Sequence, residues 1–482
     1  MAKNRISRIV TAVLIAGLFL TCAVNPVTGK KEFMLISENQ EIALGKETDR
    51  QIEAMYGFYN DPGLNAYISR VGMELSKVTH RPGLPYSFKV LDTPVINAFA
   101  VPGGYIYVTR GILAYFNNEA ELAGILGHEL GHVNARHTAR AMSRAQLAGL
   151  GLGVGALLWK DMEKYSGLIQ IGVGVLFLKF SRSNEYEADA LGVEYASKAR
   201  YDGSETANFF NTLNRLHPSS GPGALPEFLS THPNPDNRLG NVRTDAEKWK
   251  TELNLKNPKV NRNQYMRQID GMVFGADPRQ GYVESGTFYH PEMKFQFPVP
   301  DSWTVNNTPG SVQIISPDQN AAIVLTLSEK STPAEASAQF TNQVQGIVKS
   351  SRAISINRLS AQETIMDQYS QQDSLRIQSF FIKKGTQVYA LHGLAVYNQF
   401  SKYARDFSGT MQGFRALTEQ SKINVKPKRL VLRKTSRKAQ LKSLLTSYGV
   451  KNEQLEAAAV MNGMELNDTV KAGTILKIVR EK

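Results

Sequence analysis

Two histidines four positions apart, with an acid directly after the first, constrain this chain more than any other feature: His128-Glu129-Leu130-Gly131-His132. On an α-helix, residues four apart are separated by about 40° of rotation, so both imidazoles leave one face and can share one tetrahedral metal ion. The flanks suit a helix. Asn118, followed three residues on by Glu121, supplies a capping start, and Leu122, Leu126, Leu130 and Val133 give an apolar side. Gly127 and Gly131 are expected to leave room for a metal and a substrate backbone. The pattern points to metal-assisted chemistry. The plainer alternative is a surface helix with two solvated histidines.

A third ligand must come from elsewhere. Ala135 and Thr138 stand where a His-x-x-Gly-x-x-His extension would place its glycine and third histidine. A carboxylate-rich helix follows at residues 181–192, and in it Glu185 and Asp189 are again four apart and share a face. Glu185 can bind the metal while Asp189 accepts a hydrogen bond from a ligand histidine, as outer carboxylates at metal sites do. Glu187 lies about 200° round from Glu185 and reads as a solvated surface acid. His137, five after His132, leaves the ligand face and reads as structural.

The chain, at 482 residues, is too long for one core and is expected to hold several domains. Helical spacing covers 41–56, 64–79, 119–145 and 184–198, with strands at 87–91 and 105–108 between them. Two glycine-rich apolar stretches, 145–159 and 167–180, read as a buried helical hairpin or as one that dips into a membrane. From 282 to 417 the pattern changes: 312–315 and 322–327 look like strands, and Thr332-Pro333-Ala334-Glu335 opens a helix towards Ser350. Residues 375–382 and 388–395 flank a hairpin turn, and a last helix runs from 399 to 417. A basic run follows, from Lys422 to Lys438, either a solvated linker or a polyanion contact. The tail from 430 to 479 reads strand, helix, helix, strand.

Net charge is +13, which favours anionic surroundings. With no nucleic-acid motif and the basic residues scattered, nucleic acid is not an expected partner. Lys3, Arg5 and Arg8 precede an apolar stretch at 9–20, a signal-peptide arrangement too short for a comfortable membrane span. Cys22, the only cysteine, sits at its end and cannot form an internal disulfide. It is either a chance residue in a cleaved peptide or the lipidated first residue of a lipoprotein, although Phe19-Leu20-Thr21 lacks the usual small residue before it. The lipoprotein reading places the protein in the periplasm, membrane-anchored. Ala23 in place of aspartate favours the outer membrane over the inner.

The His-Glu-x-x-His run followed by Ser181-Arg182-x-x-Glu185-x-x-Ala188-Asp189 resembles the zinc metallopeptidases related to CAAX prenyl proteases, HtpX and the BepA-like enzymes. Asn25-Pro26-Val27-Thr28-Gly29, Asn97-Ala98-Phe99-Ala100, Gly103-Gly104 and Ser230-Thr231-His232-Pro233 match the soluble lipoprotein branch. The resemblance implies one zinc per chain on His128, His132 and Glu185, Glu129 as catalytic base and Asp189 in the accompanying acidic role. The opening of the 281–420 region is similar to Mog1/PsbP-like folds, and Asn462-Gly463 to Leu476-Lys477-Ile478 resembles a LysM module, a small glycan-binding fold.

The expected fold is α+β. It comprises a signal peptide (1–22), a mainly helical zincin-type peptidase domain with a small sheet (23–280), an α+β domain (281–420), and a basic linker with a small βααβ domain (421–482). The tail carries no ligand and is expected to be dispensable for hydrolysis. Strand-like segments around Asn97–Val108 could offer an edge for an extended substrate. Arg238 is a candidate oxyanion stabiliser or a surface ion pair. His232, on a proline-stiffened loop, is a candidate fourth ligand or gate, a substrate contact, or only a loop cap. The expected activity is endoproteolysis of unfolded or misassembled envelope proteins. Peptidoglycan is a candidate contact of the tail. The competing readings are a non-catalytic assembly or chaperone factor, or a cell-wall-binding factor, that retains the zinc site.

Overall fold

A computed structural model describes residues 22–152, 180–216, 227–233, 237–369 and 374–481. The apolar leader and most of the glycine-rich hairpin lie outside the described residues. No helix among those described is long and apolar enough to cross a membrane. The architecture mixes helices and sheet, with a helical first region and a β-rich later one. Contacts divide it into two compact units. One holds the described residues up to Glu53, Gly57–Gly275 and Arg429–Arg480, and the other is built on Ala276–Lys428.

In the first unit, strand β1 (Cys22–Val24) pairs antiparallel with β2 (Lys31–Phe33). Helix α1 (Glu38–Tyr56) starts at Ser37, whose hydroxyl caps Gln40 while the Gln40 side chain returns to the Ser37 N–H. Helix α2 (Pro62–Ser76) starts on Asp61 with proline in its first turn. A three-stranded sheet follows, ordered β3 (Ser87–Leu91), β5 (Tyr105–Thr109), β4 (Ala98–Val101), with β3 parallel and β4 antiparallel to β5. Gly103, at φ +84°, makes the turn between β4 and β5, and a Cβ there would meet the Glu41 carbonyl oxygen at 2.7 Å.

The longer helices that follow are α3 (Glu119–Asn134), α4 (His137–Leu152), α5 (Arg182–Lys198), α6 (Glu205–Leu216), α7 (Arg238–Glu252) and α8 (Arg262–Ile269). Every residue of α3 is buried. Leu122, Ile125, Leu126 and Leu130 pack with Ile68 and Val71 of α2, Val108 of β5 and Val193 of α5 in one core.

The continuous helix expected over 119–145 breaks at Ala135–Arg136, where Arg136 takes φ +55°. Its guanidinium donates to Glu41 Oε1 at 2.5 Å and to the Ile36 carbonyl at 2.6 Å, so long-range bonds outweigh local helix preference.

The C-terminal segment shares this unit. Strands β6 (Lys428–Lys434) and β9 (Ile475–Glu481) pair, as do β7 (Ala439–Gln440) and β8 (Thr469–Val470), around helices α9 (Leu441–Ser447) and α10 (Leu455–Met461). The strand–helix–helix–strand order is the expected one. Its independence is not. Leu430, Val460 and Met461 belong to the same buried cluster as α2, α3 and α6. The Gly271 N–H donates to the Leu430 carbonyl at 2.9 Å and the Leu430 N–H to the Met272 carbonyl at 2.9 Å. These contacts argue against the expectation that the tail is dispensable for hydrolysis.

The second unit carries a seven-stranded antiparallel sheet ordered Ile347–Ile356, Leu359–Tyr369, Ser374–Lys384, Gln387–Val396, Ala321–Ser328, Val312–Ile315, Thr304–Asn307. A four-stranded sheet and two helices, Pro333–Val344 and Phe400–Gln412, accompany it. The hairpin and capped helix are as expected, but the helix stops at Val344 and strand Ile347–Ile356 takes over.

Candidate metal centre

The site depends on how closely α3 and α5 approach. A Cβ on Gly127 would lie 2.8 Å from the Gly192 carbonyl oxygen, and one on Gly131 would lie 3.0 Å from the Ala188 Cα. The glycines expected to make room for metal and substrate instead make room for α5. That contact brings Glu185 under the two histidines.

His128, His132, Glu185 and His232 converge, all buried, with one donor atom each within 4.8 Å of the others. The two Nε2 atoms of His128 and His132 are 3.1 Å apart, and His128 Nε2 lies 3.2 Å from His232 Nδ1. His232 Nδ1 is 3.2 Å from Glu185 Oε1. Carboxylate oxygens of Glu185 lie 3.5 Å from each Nε2 of His128 and His132. Donors placed tetrahedrally at roughly 2.0–2.1 Å from a zinc ion stand about 3.3 Å from one another. The spacings between the ring nitrogens and from them to one or other Glu185 oxygen, 3.1–3.5 Å in a buried set of three imidazoles and one carboxylate, are close to that value.

Each ring is held from outside. His128 Nδ1 lies 2.8 Å from Asp189 Oδ1, and the same oxygen accepts from Arg238 Nη2 at 2.7 Å. His132 Nδ1 lies 2.8 Å from His137 Nδ1, whose other nitrogen meets Glu187 Oε2 at 2.9 Å, with Arg140 Nη2 donating to that oxygen at 3.2 Å. Phe180 stacks on His132 with ring centres 4.1 Å apart, and Phe228 stacks on His232 at 4.6 Å. Such supports fix ring orientation and tautomer. Glu187 is therefore no solvated acid, and His137, expected to be merely structural, supports a ligand.

Glu129 is buried beside the cluster. Its Oε1 has no hydrogen-bond partner among the described residues and lies 3.7 Å from His232 Nε2. Burial raises its pKa above the ordinary carboxylate value, with the charges of His232 and His128 partly offsetting. Burial pulls His132 far below the usual imidazole value, which keeps it in the neutral, metal-binding form. Burial also disfavours charge on His128, but bonding to Asp189 and Glu185 wins and lifts it to about 9. Glu185 resists its own burial and sits well below the usual carboxylate range because His232 and His128 face it.

Arg238 is buried rather than on the surface. It lies over the Phe210 ring at 3.7 Å, and its Nε and Nη1 have no partner among the described residues. His232 belongs to residues 227–233, tied to the start of β4 by the Phe228 N–H donating to the Ile96 carbonyl at 3.1 Å and Asn97 Nδ2 donating to Glu227 Oε1 at 3.3 Å. Asn234 and Pro235 lie outside the described residues. Cys22 opens β1.

A helix presenting two histidines and a neighbouring buried acid, completed by a glutamate from a second helix, is the arrangement expected of a zincin-type metal centre. Comparison with known families agrees: residues 62–246 match the model for peptidase family M48. The beta-barrel assembly-enhancing protease of Yersinia pestis is 32% identical over 264 residues, covering 52% of each chain. The mitochondrial metalloendopeptidase OMA1 of Schizosaccharomyces pombe is 28% identical over 236 residues, covering 48% of this chain and 67% of its own. The chain thus spans about half the length of the first of these relatives. Among solved structures, the Ran-binding protein Mog1p of Saccharomyces cerevisiae aligns with 29% of this chain and 99% of its own, at 10% identity and a TM-score of 0.23.

Proposed function

We propose that the chain is a zinc-dependent endopeptidase acting on unfolded or misassembled envelope proteins. The observation that carries this is the buried carboxylate of Glu129, with no hydrogen bond at Oε1 among the described residues, beside the four-residue cluster. Zinc held by His128, His132 and Glu185 would supply Lewis acidity towards a water molecule and the scissile carbonyl. Glu129 takes the proton of the attacking water and hands it to the leaving amine. Asp189 and His137 keep the two ligand rings aimed. Arg238 holds Asp189, and its unpartnered Nε and Nη1 are available to a developing oxyanion.

Strand β4 pairs on one side only among the described residues, and it packs against α3. An extended peptide joining that edge would be held by backbone hydrogen bonds, a mode tolerant of sequence. Cleavage of unfolded casein, abolished by a chelator and restored by zinc, tests the activity. Casein left intact under zinc-replete conditions by both the wild type and His232→Ala would contradict it.

His232 acts as a gate in this account. With its Nδ1 in the cluster it fills the position that substrate and water need, and the enzyme is latent until residues 227–233 move. His232→Ala then raises casein cleavage and speeds metal loss to small chelators. A large fall in turnover instead would assign His232 to the oxyanion.

The name of the Yersinia relative and the signal-like N-terminus support an envelope location, with Cys22 as lipid anchor in the outer membrane. Cys22→Ser should move the protein from the membrane to the soluble fraction. An unlipidated mature N-terminus by mass spectrometry would remove the anchor.

A further inference from the structure

The C-terminal segment is joined to the metal-bearing helix by more than apolar packing. Lys477, in the middle of β9, is fully buried, and its Nζ donates to the carbonyls of Ala114 and Phe116 at 2.8 Å each. Asn462 grips the same residue's backbone. Its Oδ1 accepts from the Lys477 N–H at 2.8 Å, and its Nδ2 donates to the Lys477 carbonyl at 2.9 Å. Arg262 bridges the two segments, donating through Nη1 to the Asn117 carbonyl at 2.9 Å and through Nη2 to the Ile475 carbonyl at 3.2 Å. Gly463 approaches so closely that a Cβ on it would lie 2.8 Å from Asn117 Nδ2.

The stretch being gripped leads directly into α3. Asn118 caps that helix by accepting from the Glu121 N–H at 2.8 Å, and Glu121 Oε2 accepts from the Asn117 N–H at 2.7 Å. Glu121 is itself buried. Burial raises its pKa and lowers that of Lys477, and the opposite charge of each partly relieves the other. An apolar side chain would hold β9 against a core without the cost of desolvating a charge. What the amine adds is direction: it must meet two particular carbonyls. From Glu121 the helix runs about two turns to His128 and about three to His132, so a shift at its start moves both rings.

We propose that Lys477 is a positioning residue for the metal-site helix, which makes the C-terminal segment a constitutive part of the peptidase unit. This rests on the reading of His128 and His132 as ligands. The test uses the full-length chain with Lys477→Met and with the double variant Lys477→Met/Glu121→Gln, at a temperature where circular dichroism finds each folded. The readouts are zinc affinity by chelator competition, hydrogen exchange across residues 126–134, and kcat and KM on an unfolded substrate.

Positioning predicts that Lys477→Met weakens zinc binding about tenfold, in the range seen when outer supports of metal sites are removed. It also predicts faster exchange across 126–134 and a lower kcat at unchanged KM. The double variant, relieved of its unpaired acid, regains thermal stability but not zinc affinity, because nothing holds the Ala114 and Phe116 carbonyls. Zinc affinity and exchange at wild-type levels in a folded variant, with only the melting temperature lowered, would overturn the proposal. If Lys477→Met alone does not fold, the double variant decides by the same readouts. Zinc affinity and exchange report even if the wild type cleaves nothing, so failure of this inference is separable from failure of the proposed activity.

Discussion

His137 and Glu187 show what residue spacing carries and what it loses. The cluster was legible because two histidines four apart on a helix define a face, and Glu185 with Asp189 repeats the arithmetic. The same arithmetic misplaced His137 and Glu187. Arg136 ends α3 at a positive φ, so His137 opens a new helix and its ring returns to His132 Nδ1. Glu187 points away from Glu185 but towards His137 and Arg140 of α4. No periodicity within one helix encodes a neighbour on another. His137→Phe should leave the fold intact yet weaken zinc binding about 10- to 100-fold, with Glu187→Gln falling short of that. Equilibrium dialysis against graded zinc buffers measures both, and an unchanged affinity in His137→Phe would remove its supporting role.

Elements meet here through small residues. Gly192 sits where an added Cβ would come within 2.8 Å of the His128 backbone nitrogen, and its helix closes on Gly127 and Gly131 of α3. Gly192→Ala must push α5 away from α3, at a cost of about 1–3 kcal/mol. It should also draw Glu185 out of the cluster, so zinc content falls along with the melting temperature. Full zinc occupancy in that variant would mean the helix spacing does not set the site. Sequence pattern identified both helices but not their distance apart, and it missed the two strands between Ile347 and Tyr369. The first of these is exposed along nearly all its length and so lacks the alternation that marks a half-buried strand.

On the scale of the molecule, the two units answer to different chemistry. The second buries His392 against Phe340, ring centres 4.0 Å apart, with Nδ1 2.8 Å from Ser379 Oγ. Burial pushes its pKa down to about 4. An unfolded histidine takes up a proton near pH 6.5. As pH falls from there towards 4, the unfolded chain binds a proton the folded one does not, and stability drops. The loss by pH 4.5 is about 2–3 kcal/mol relative to pH 7. Native-state hydrogen exchange of the Gln387–Val396 strand, corrected for intrinsic rates, should show this loss, and His392→Gln should abolish most of it. A wild-type strand equally protected at both pH values would contradict the burial argument.

The tail's four-element order was legible from its turns and apolar runs. Its docking was not, because nothing in the sequence around Lys477 marks it as buried. Removing residues 428–482 exposes Leu430's partners in the first core, and the truncated chain should aggregate or lose zinc rather than remain an active peptidase.

The account's central claim is that Glu129 is the base beside a metal held by His128, His132 and Glu185. The direct measurement is zinc content and casein hydrolysis of Glu129→Gln alongside His128→Ala. We expect Glu129→Gln to keep about one zinc per chain, as befits a residue outside the ligand set, while hydrolysis falls by roughly three orders of magnitude or more. His128→Ala should lose both. Near-normal cleavage by zinc-replete Glu129→Gln would contradict the mechanism.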